Sequence, residues 1–264
     1  MSKDNEGKYA EINGIQMYYE DYGRGIPIIL LHGGLVNAQL NWGSYLPILS
    51  SKFRVIAPDS RGHGKSNNPT GKLSYKLMCD DIIALIKELD LDHPFVVGYS
   101  DGGQIALEIG INYPDASRAL VAGGVLCEIS ELYTNSNKEM GFNSPGDVDF
   151  EKFEEKWPQF PPLLSVLHSS VYGPNYWKEL LVNISKMWTN PDEFPGERLA
   201  KISVPTLIFH GDRDGSIPLE DPLRIYRLIP NAELSIIPNA NHMTILSESD
   251  ALSNIILDFL KRHK

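Results

Sequence analysis

The chain has 264 residues, 42% hydrophobic and 22% charged, with 24 Lys plus Arg against 34 Asp plus Glu and a formal net charge of -10. That apolar content excludes a disordered chain, and the acidity argues against nucleic acid or an anionic membrane surface as partner, since both attract basic patches. Two cysteines, Cys79 and Cys127, make no disulfide framework; with no apolar signal core in residues 1–10 and no apolar run of about 18 residues, a cytoplasmic location and no membrane are expected.

In chain order, strand-like runs at residues 9–12 and 15–20 flank Asn13-Gly14, a tight hairpin signal. Residues 27–31, Pro-Ile-Ile-Leu-Leu, are apolar at every position, as strands buried on both faces of a parallel sheet are. Similar runs recur at 53–57, 95–98, 119–123, 206–210 and 234–237. Helical patterns lie between most of them. Ser74 caps one that runs to Leu89, and others span 102–112, 219–228 and 248–261. Strand and helix in alternation predict a doubly wound, mostly parallel α/β sheet.

Residues 128–198 break this rhythm. They lack buried-strand runs and hold 7 of the 18 prolines and 11 of the 25 aromatic residues. Their 12 acidic and 6 basic residues supply -6 of the -10. A structureless loop of this length is unusual in a compact domain, so a helical cap over one end of the sheet is expected. Residues 1–127 and 199–264 then form the core. An irregular excursion with no part in binding is the alternative.

The sharpest chemical signal is Gly98-Tyr99-Ser100-Asp101-Gly102, which follows one apolar run and opens a helical pattern. A strained strand-to-helix turn projects a serine Oγ from the sheet edge, and glycines on either side allow close backbone approach. The helix N-terminus adds partial positive charge where an oxyanion forms. A serine needs a base held by an acid, and in this turn context the chain order is Ser, acid, His. Asp212 and Asp214 both follow the 206–210 strand, and either qualifies by position. His242 follows the 234–237 strand and precedes the last helix. Such loops at the carboxyl ends of strands are where open α/β sheets place their sites. Acyl transfer also needs two backbone N–H groups aimed at the oxyanion. Asp101 supplies one, and Gly34 in the loop His32-Gly33-Gly34-Leu35 is the candidate for the other. His32 is read as ordering that loop, and Asp212 as ordering its turn. No zinc-like ligand spacing is visible, so neither metal nor cofactor is expected.

Together these segments resemble the α/β-hydrolase superfamily, in its compact esterase-like form with a helical cap. The likeness spans nearly the whole chain and includes Asp59-Ser-Arg61-Gly62-His63-Gly64-Lys-Ser66, similar to the family's D-x-R-G-x-G-x-S support loop. It implies an eight-stranded sheet and makes Asp214 the acid. Ser100-Asp101-Gly102-Gly103 further resembles the valacyclovir hydrolase (biphenyl hydrolase-like) type, although Tyr99 stands where a tryptophan is found there. That resemblance implies that the Asp101 carboxylate receives a substrate ammonium; capping of the following helix is the plainer role for an Asp there.

The resulting expectation is a serine hydrolase acting on a small carboxylic ester, its small-molecule partner, through an acyl-Ser100 intermediate. The same fold also hosts lactone, amide and C–C bond hydrolases and cofactor-free perhydrolases, and fold does not fix function. A ligand-binding receptor on a hydrolase scaffold is the alternative from another class.

Overall fold

The computed structural model describes residues 7–243 and 250–264. Strands β1 (Lys8–Ile12) and β2 (Ile15–Gly23) pair antiparallel around Asn13 and Gly14, whose φ values of 45° and 75° suit a tight hairpin. After β3 (Pro27–Leu31) come two short helices that the sequence reading missed, α1 (Ala38–Trp42) and α2 (Leu46–Ser50), and then β4 (Arg54–Pro58). Helix α3 (Tyr75–Glu88) starts at its predicted cap, with the Ser74 Oγ accepting the Leu77 N–H at 3.0 Å. Strand β5 (Phe95–Tyr99) runs into α4 (Asp101–Asn112) with Ser100 alone between them, and β6 (Ala119–Gly123) follows.

The chain then leaves the sheet. It forms α5 (Glu131–Glu139), a small hairpin of β7 (Phe142–Ser144) and β8 (Asp147–Val148), α6 (Phe150–Lys156), α7 (Phe160–Tyr172) and α8 (Tyr176–Trp188). Two 3-10 segments, Pro191–Glu193 and Gly196–Lys201, lead back to β9 (Thr206–Gly211), α9 (Glu220–Leu228) and β10 (Ala232–Ile237). Helix α10 (Asp250–Arg262) closes the fold; its predicted start at Glu248 lies outside the described residues. None of the described helices is long and apolar enough to cross a membrane.

The eight-stranded sheet has the order β1-β2-β4-β3-β5-β6-β9-β10. Strands β4 to β10 in that order run parallel, and β2 is antiparallel to both of its neighbours. The chain winds outward from β3 to β4 in one direction and from β5 onward in the other. The order therefore reverses between β3 and β5, where open α/β sheets leave a crevice at their carboxyl ends. Alternating side chains serve the two faces: Phe95, Val97 and Tyr99 of β5 join the core under α1 and α10, while Val96 joins the core under α3 and α4. Helix α4 is buried from Asp101 to Ile111 against β5, β6, α3 and the Gly196–Lys201 segment, and its polar residues Gln104 and Glu108 are buried with hydrogen-bond partners, the Leu126 carbonyl and Arg198.

The predicted support loop works as one. Asp59 accepts the Ala38 and Lys65 N–H groups at 3.0 and 2.9 Å, and Arg61 forks onto Asp81 of α3 at 2.6 and 2.7 Å. The excursion between β6 and β9 is fastened to this loop. His168 Nδ1 accepts the Gly64 N–H at 2.8 Å, Ser170 donates to the Gly64 carbonyl at 3.0 Å, and the Tyr172 hydroxyl accepts the Asn68 N–H at 2.8 Å.

Candidate active site

Ser100 sits at φ 54° and ψ -120°, a conformation that is costly for any residue with a Cβ. Its N–H donates to the Gly123 carbonyl at 2.8 Å, which holds the turn on the neighbouring strand. The two flanking glycines are required by close approach. A Cβ on Gly98 would lie 2.0 Å from the Gly102 carbonyl oxygen, and one on Gly102 would lie 2.2 Å from that of Leu31.

Two further loops converge on this serine. His242 Nε2 stands 3.1 Å from Ser100 Oγ, and His242 Nδ1 stands 2.7 Å from Asp214 Oδ2. The second contact fixes the tautomer: Nδ1 carries the proton and Nε2 is left to accept one from the serine. The other Asp214 oxygen accepts the Ser216 and Ile217 N–H groups at 2.9 and 3.0 Å. Burial pushes the Asp214 carboxyl up, but the His242 hydrogen bond and charge and these two amides outweigh it, so its pKa falls below the ordinary value. Asp214 is thus an ionised, oriented partner for an imidazolium. Asp212 does not play its expected part. Its carboxylate lies 3.7 Å from Arg213 Nε and, among the described residues, accepts no backbone N–H; Asp214 orders the turn instead.

The loop after β3 is set by His32. The Ser60 N–H donates to His32 Nε2 at 2.9 Å, so Nδ1 carries the proton and donates to the Gly33 carbonyl at 2.8 Å. Burial lowers this imidazole to about 4, which keeps it neutral. The Gly33 C=O and the Gly34 N–H share one planar peptide and point opposite ways. Holding the carbonyl therefore sets the direction of the predicted oxyanion donor.

Asp101 is buried, and its carboxylate does not cap α4. Its Oδ1 accepts the Tyr75 hydroxyl at 2.8 Å, and the Trp188 indole N–H lies 2.9 and 3.0 Å from Oδ1 and Oδ2. Burial raises the Asp101 pKa to about 6, against the pull of Tyr75, Trp188 and His242. A Cβ on Gly34 would lie 2.3 Å from Asp101 Oδ2 and 2.8 Å from the Trp188 ring. Only a glycine fits there, and the carboxylate rests directly against the oxyanion loop.

Ser100, Asp101 and His242 open onto a cavity of about 370 Å³. Its far wall comes from the excursion: Tyr133, Met140, Trp157, Phe160 and Trp188. Lys156 and Glu139 pair at 2.7 Å on this wall, both exposed. Of the excursion's acidic residues, Glu139 alone lines the cavity among the described residues, so its negative charge faces mostly water. No group of three His, Cys, Asp or Glu side chains among the described residues is placed to hold a metal ion.

Sequence reasoning missed Tyr75, Trp188, Tyr99 and His168. Each acts across the fold, and no local spacing announces it. The Tyr99 hydroxyl donates to the His242 carbonyl at 2.8 Å, and its ring stacks on Phe209 and leans on the His242 ring at 5.1 Å.

Residues 28–255 match the family model described as the alpha/beta hydrolase family, and the chain belongs to that family. It is 27% identical over 265 residues to 2-hydroxy-6-oxo-2,4-heptadienoate hydrolase of Pseudomonas putida, covering 96% of each chain. It is 26% identical over 260 residues to the serine hydrolase BPHL of Homo sapiens, covering 95% of this chain and 84% of that one. The likeness to the valacyclovir hydrolase type is therefore distant, and no deeper than the likeness to the dienoate hydrolase. Among solved structures, a meta-cleavage product hydrolase of Pseudomonas fluorescens superposes with a TM-score of 0.78 at 24% identity, covering 98% of both chains.

Proposed function

We propose that the protein is a serine hydrolase that cleaves small carboxylic esters, with α-amino acid esters preferred. The observation that carries this reading is the unbroken line Ser100–His242–Asp214, at 3.1 and 2.7 Å, on the floor of a cavity. Ser100 Oγ bonds to the ester carbonyl carbon as His242 Nε2 takes the hydroxyl proton. The carbonyl oxygen becomes an oxyanion facing the Gly34 and Asp101 N–H groups. The C–O bond then breaks, and the leaving alkoxide takes the proton from His242. Water repeats the sequence on the acyl-Ser100 ester, with His242 as base, and releases the acid. Asp214 holds the imidazole and stabilises it while charged. The excursion acts as a cap that supplies an apolar acyl pocket. Asp101 supports the amino-acid preference, since a buried carboxylate attracts an ammonium strongly in a low-dielectric site.

A second reading keeps the same residues and breaks a C–C bond, as the name of the Pseudomonas putida relative suggests for that enzyme. Its named substrate is an anion, and the buried Asp101 carboxylate disfavours an anion beside Ser100.

The test is hydrolysis of matched methyl esters by the wild type and by Ser100→Ala, with the acyl adduct followed by mass spectrometry. The expected loss in kcat is on the order of a thousand-fold or more, with the Ser100 adduct absent in the variant. Wild-type rates in Ser100→Ala would overturn the reading.

A further inference from the structure

Asp101 is placed where its charge opposes the reaction it serves. Its Oδ2 fills the space on Gly34 where a Cβ would stand, 2.3 Å from that position. Its own backbone N–H is the second donor of the proposed oxyanion hole. A carboxylate is therefore held within a few ångströms of both groups that receive the oxyanion. Two negative charges that close, away from water, repel substantially. Tyr75 and Trp188 donate to this carboxylate, but both are neutral and leave its full charge in place. Lys156, the described cation on the cavity wall, is paired with Glu139 on the far side.

We propose that Asp101 is an electrostatic gate on the oxyanion: it slows acyl transfer from neutral esters, and the ammonium of an α-amino ester cancels it. This rests on the amino-acid ester reading above and adds a mechanism to it. Because the oxyanion exists only in the transition state and intermediate, cancellation lowers the barrier rather than merely tightening substrate binding. Selectivity then falls mainly in kcat. A simple recognition carboxylate would instead act through KM and leave neutral esters untouched.

The gate also depends on pH. The titratable groups that face Asp101 are Tyr75 of α3, Tyr133 of α5, Glu193 of the first 3-10 segment and His242 of the loop after β10. Both tyrosines are raised well beyond the working range by burial and the Asp101 charge, so they stay neutral. Glu193 is raised by burial and adds repulsion that favours a protonated Asp101. Asp101 is ionised above about 6 and takes a proton below it, so the gate opens for neutral esters as the pH falls through that value.

The experiment compares phenylalanine methyl ester, its N,N,N-trimethyl analogue and 3-phenylpropionate methyl ester on wild type and on Asp101→Asn. The gate predicts that the two classes separate. Asp101→Asn gains about ten-fold in kcat on the neutral ester, while the two cationic esters, whose ammonium already cancels the charge, keep a kcat near the wild-type value and lose in KM. In the wild type, the kcat ratio of trimethylammonium to neutral ester falls as the pH drops through about 6, and the quaternary charge does not titrate. This second measurement needs no variant. A preference for cationic esters with no gain on the neutral ester in Asp101→Asn, or a ratio flat with pH, overturns the gate and leaves amino-acid ester preference standing. Equal wild-type rates on cationic and neutral esters overturn both.

Discussion

On the sheet side of the cavity, Ser100, Asp214 and His242 each follow a strand, and backbone N–H groups hold the turns at Ser100 and Asp214. On the opposite side, the wall comes from residues 128–198, and that segment is fastened by partners far away in sequence. His168 meets Gly64 across 104 residues, and Trp188 meets Asp101 across 87. The first kind of structure is dictated locally. At Ser100 the turn itself requires glycine at 98, whose Cβ would meet Gly102, while glycine at 102 is required by Leu31 of the neighbouring strand. The second kind exists only once the chain has folded. Two regions of one cavity therefore differ in how they are specified, and they should differ in how they fail.

The seam between them is the place to break the contrast. Arg61 lies in the support loop that fastens the excursion, and it forks onto Asp81 with both side chains almost fully buried, at 2% and 1% exposure. Arg61→Ala leaves Asp81 uncompensated, and the expected loss of stability is about 3–5 kcal/mol. Urea unfolding measures it. The double variant Arg61→Met with Asp81→Leu should lose much less, because no buried charge is then stranded. If the single variant unfolds at the wild-type midpoint, the loop is not the fastening it is taken for.

The next effect is smaller and isolates one seam residue. His168 is lowered to about 3 by burial, with help from His63 and His32, and accepts the Gly64 N–H as a neutral ring. In the unfolded chain it titrates near 6.5. Between those values the unfolded chain holds the extra proton, so stability rises with pH and is lost as the pH falls below 6.5. At pH 5 this one group removes about 2 kcal/mol. Asp101 and Asp221, raised to about 6, act with the opposite sign, so the whole-protein slope is a mixture. His168→Gln keeps an acceptor for Gly64 and removes the titration. Its stability difference between pH 7 and pH 5 should be shallower than the wild type's by about 2 kcal/mol; equal slopes would mean that His168 is hydrated or charged.

These cases show which parts the sequence disclosed. The strands, the cap of α3, the Ser100 turn and His242 follow from apolar runs and turn chemistry, and all appear where expected. The choice of Asp214 over Asp212 needed the family resemblance, because both follow β9; the structure then shows a physical reason, since only Asp214 spans the His242 ring and the Ser216 and Ile217 amides. Helices α1 and α2 have five residues each and too little periodicity to register. The hold of Tyr75 and Trp188 on Asp101 had no local signal, because aromatic residues in a helical pattern read as core.

Tyr99 bears most directly on the contrast, because it belongs to the local side yet acts across it. It sits next to the nucleophile on β5, and its hydroxyl reaches the backbone of the loop that carries the catalytic base candidate. Tyr99→Phe keeps the ring between Phe209 and His242 and removes a single hydrogen bond, worth about 1 kcal/mol. If that bond only adds stability, the melting temperature falls slightly and kinetics stay the same. If it positions His242, the same free energy falls on the chemical step: kcat drops roughly five-fold at unchanged KM, since no substrate contact is lost. The two outcomes separate because the hydroxyl reaches the His242 carbonyl and not the substrate. The kinetic outcome would place Tyr99 with the machinery, and would add one more contact made only in the folded chain to the one between His242 and Ser100.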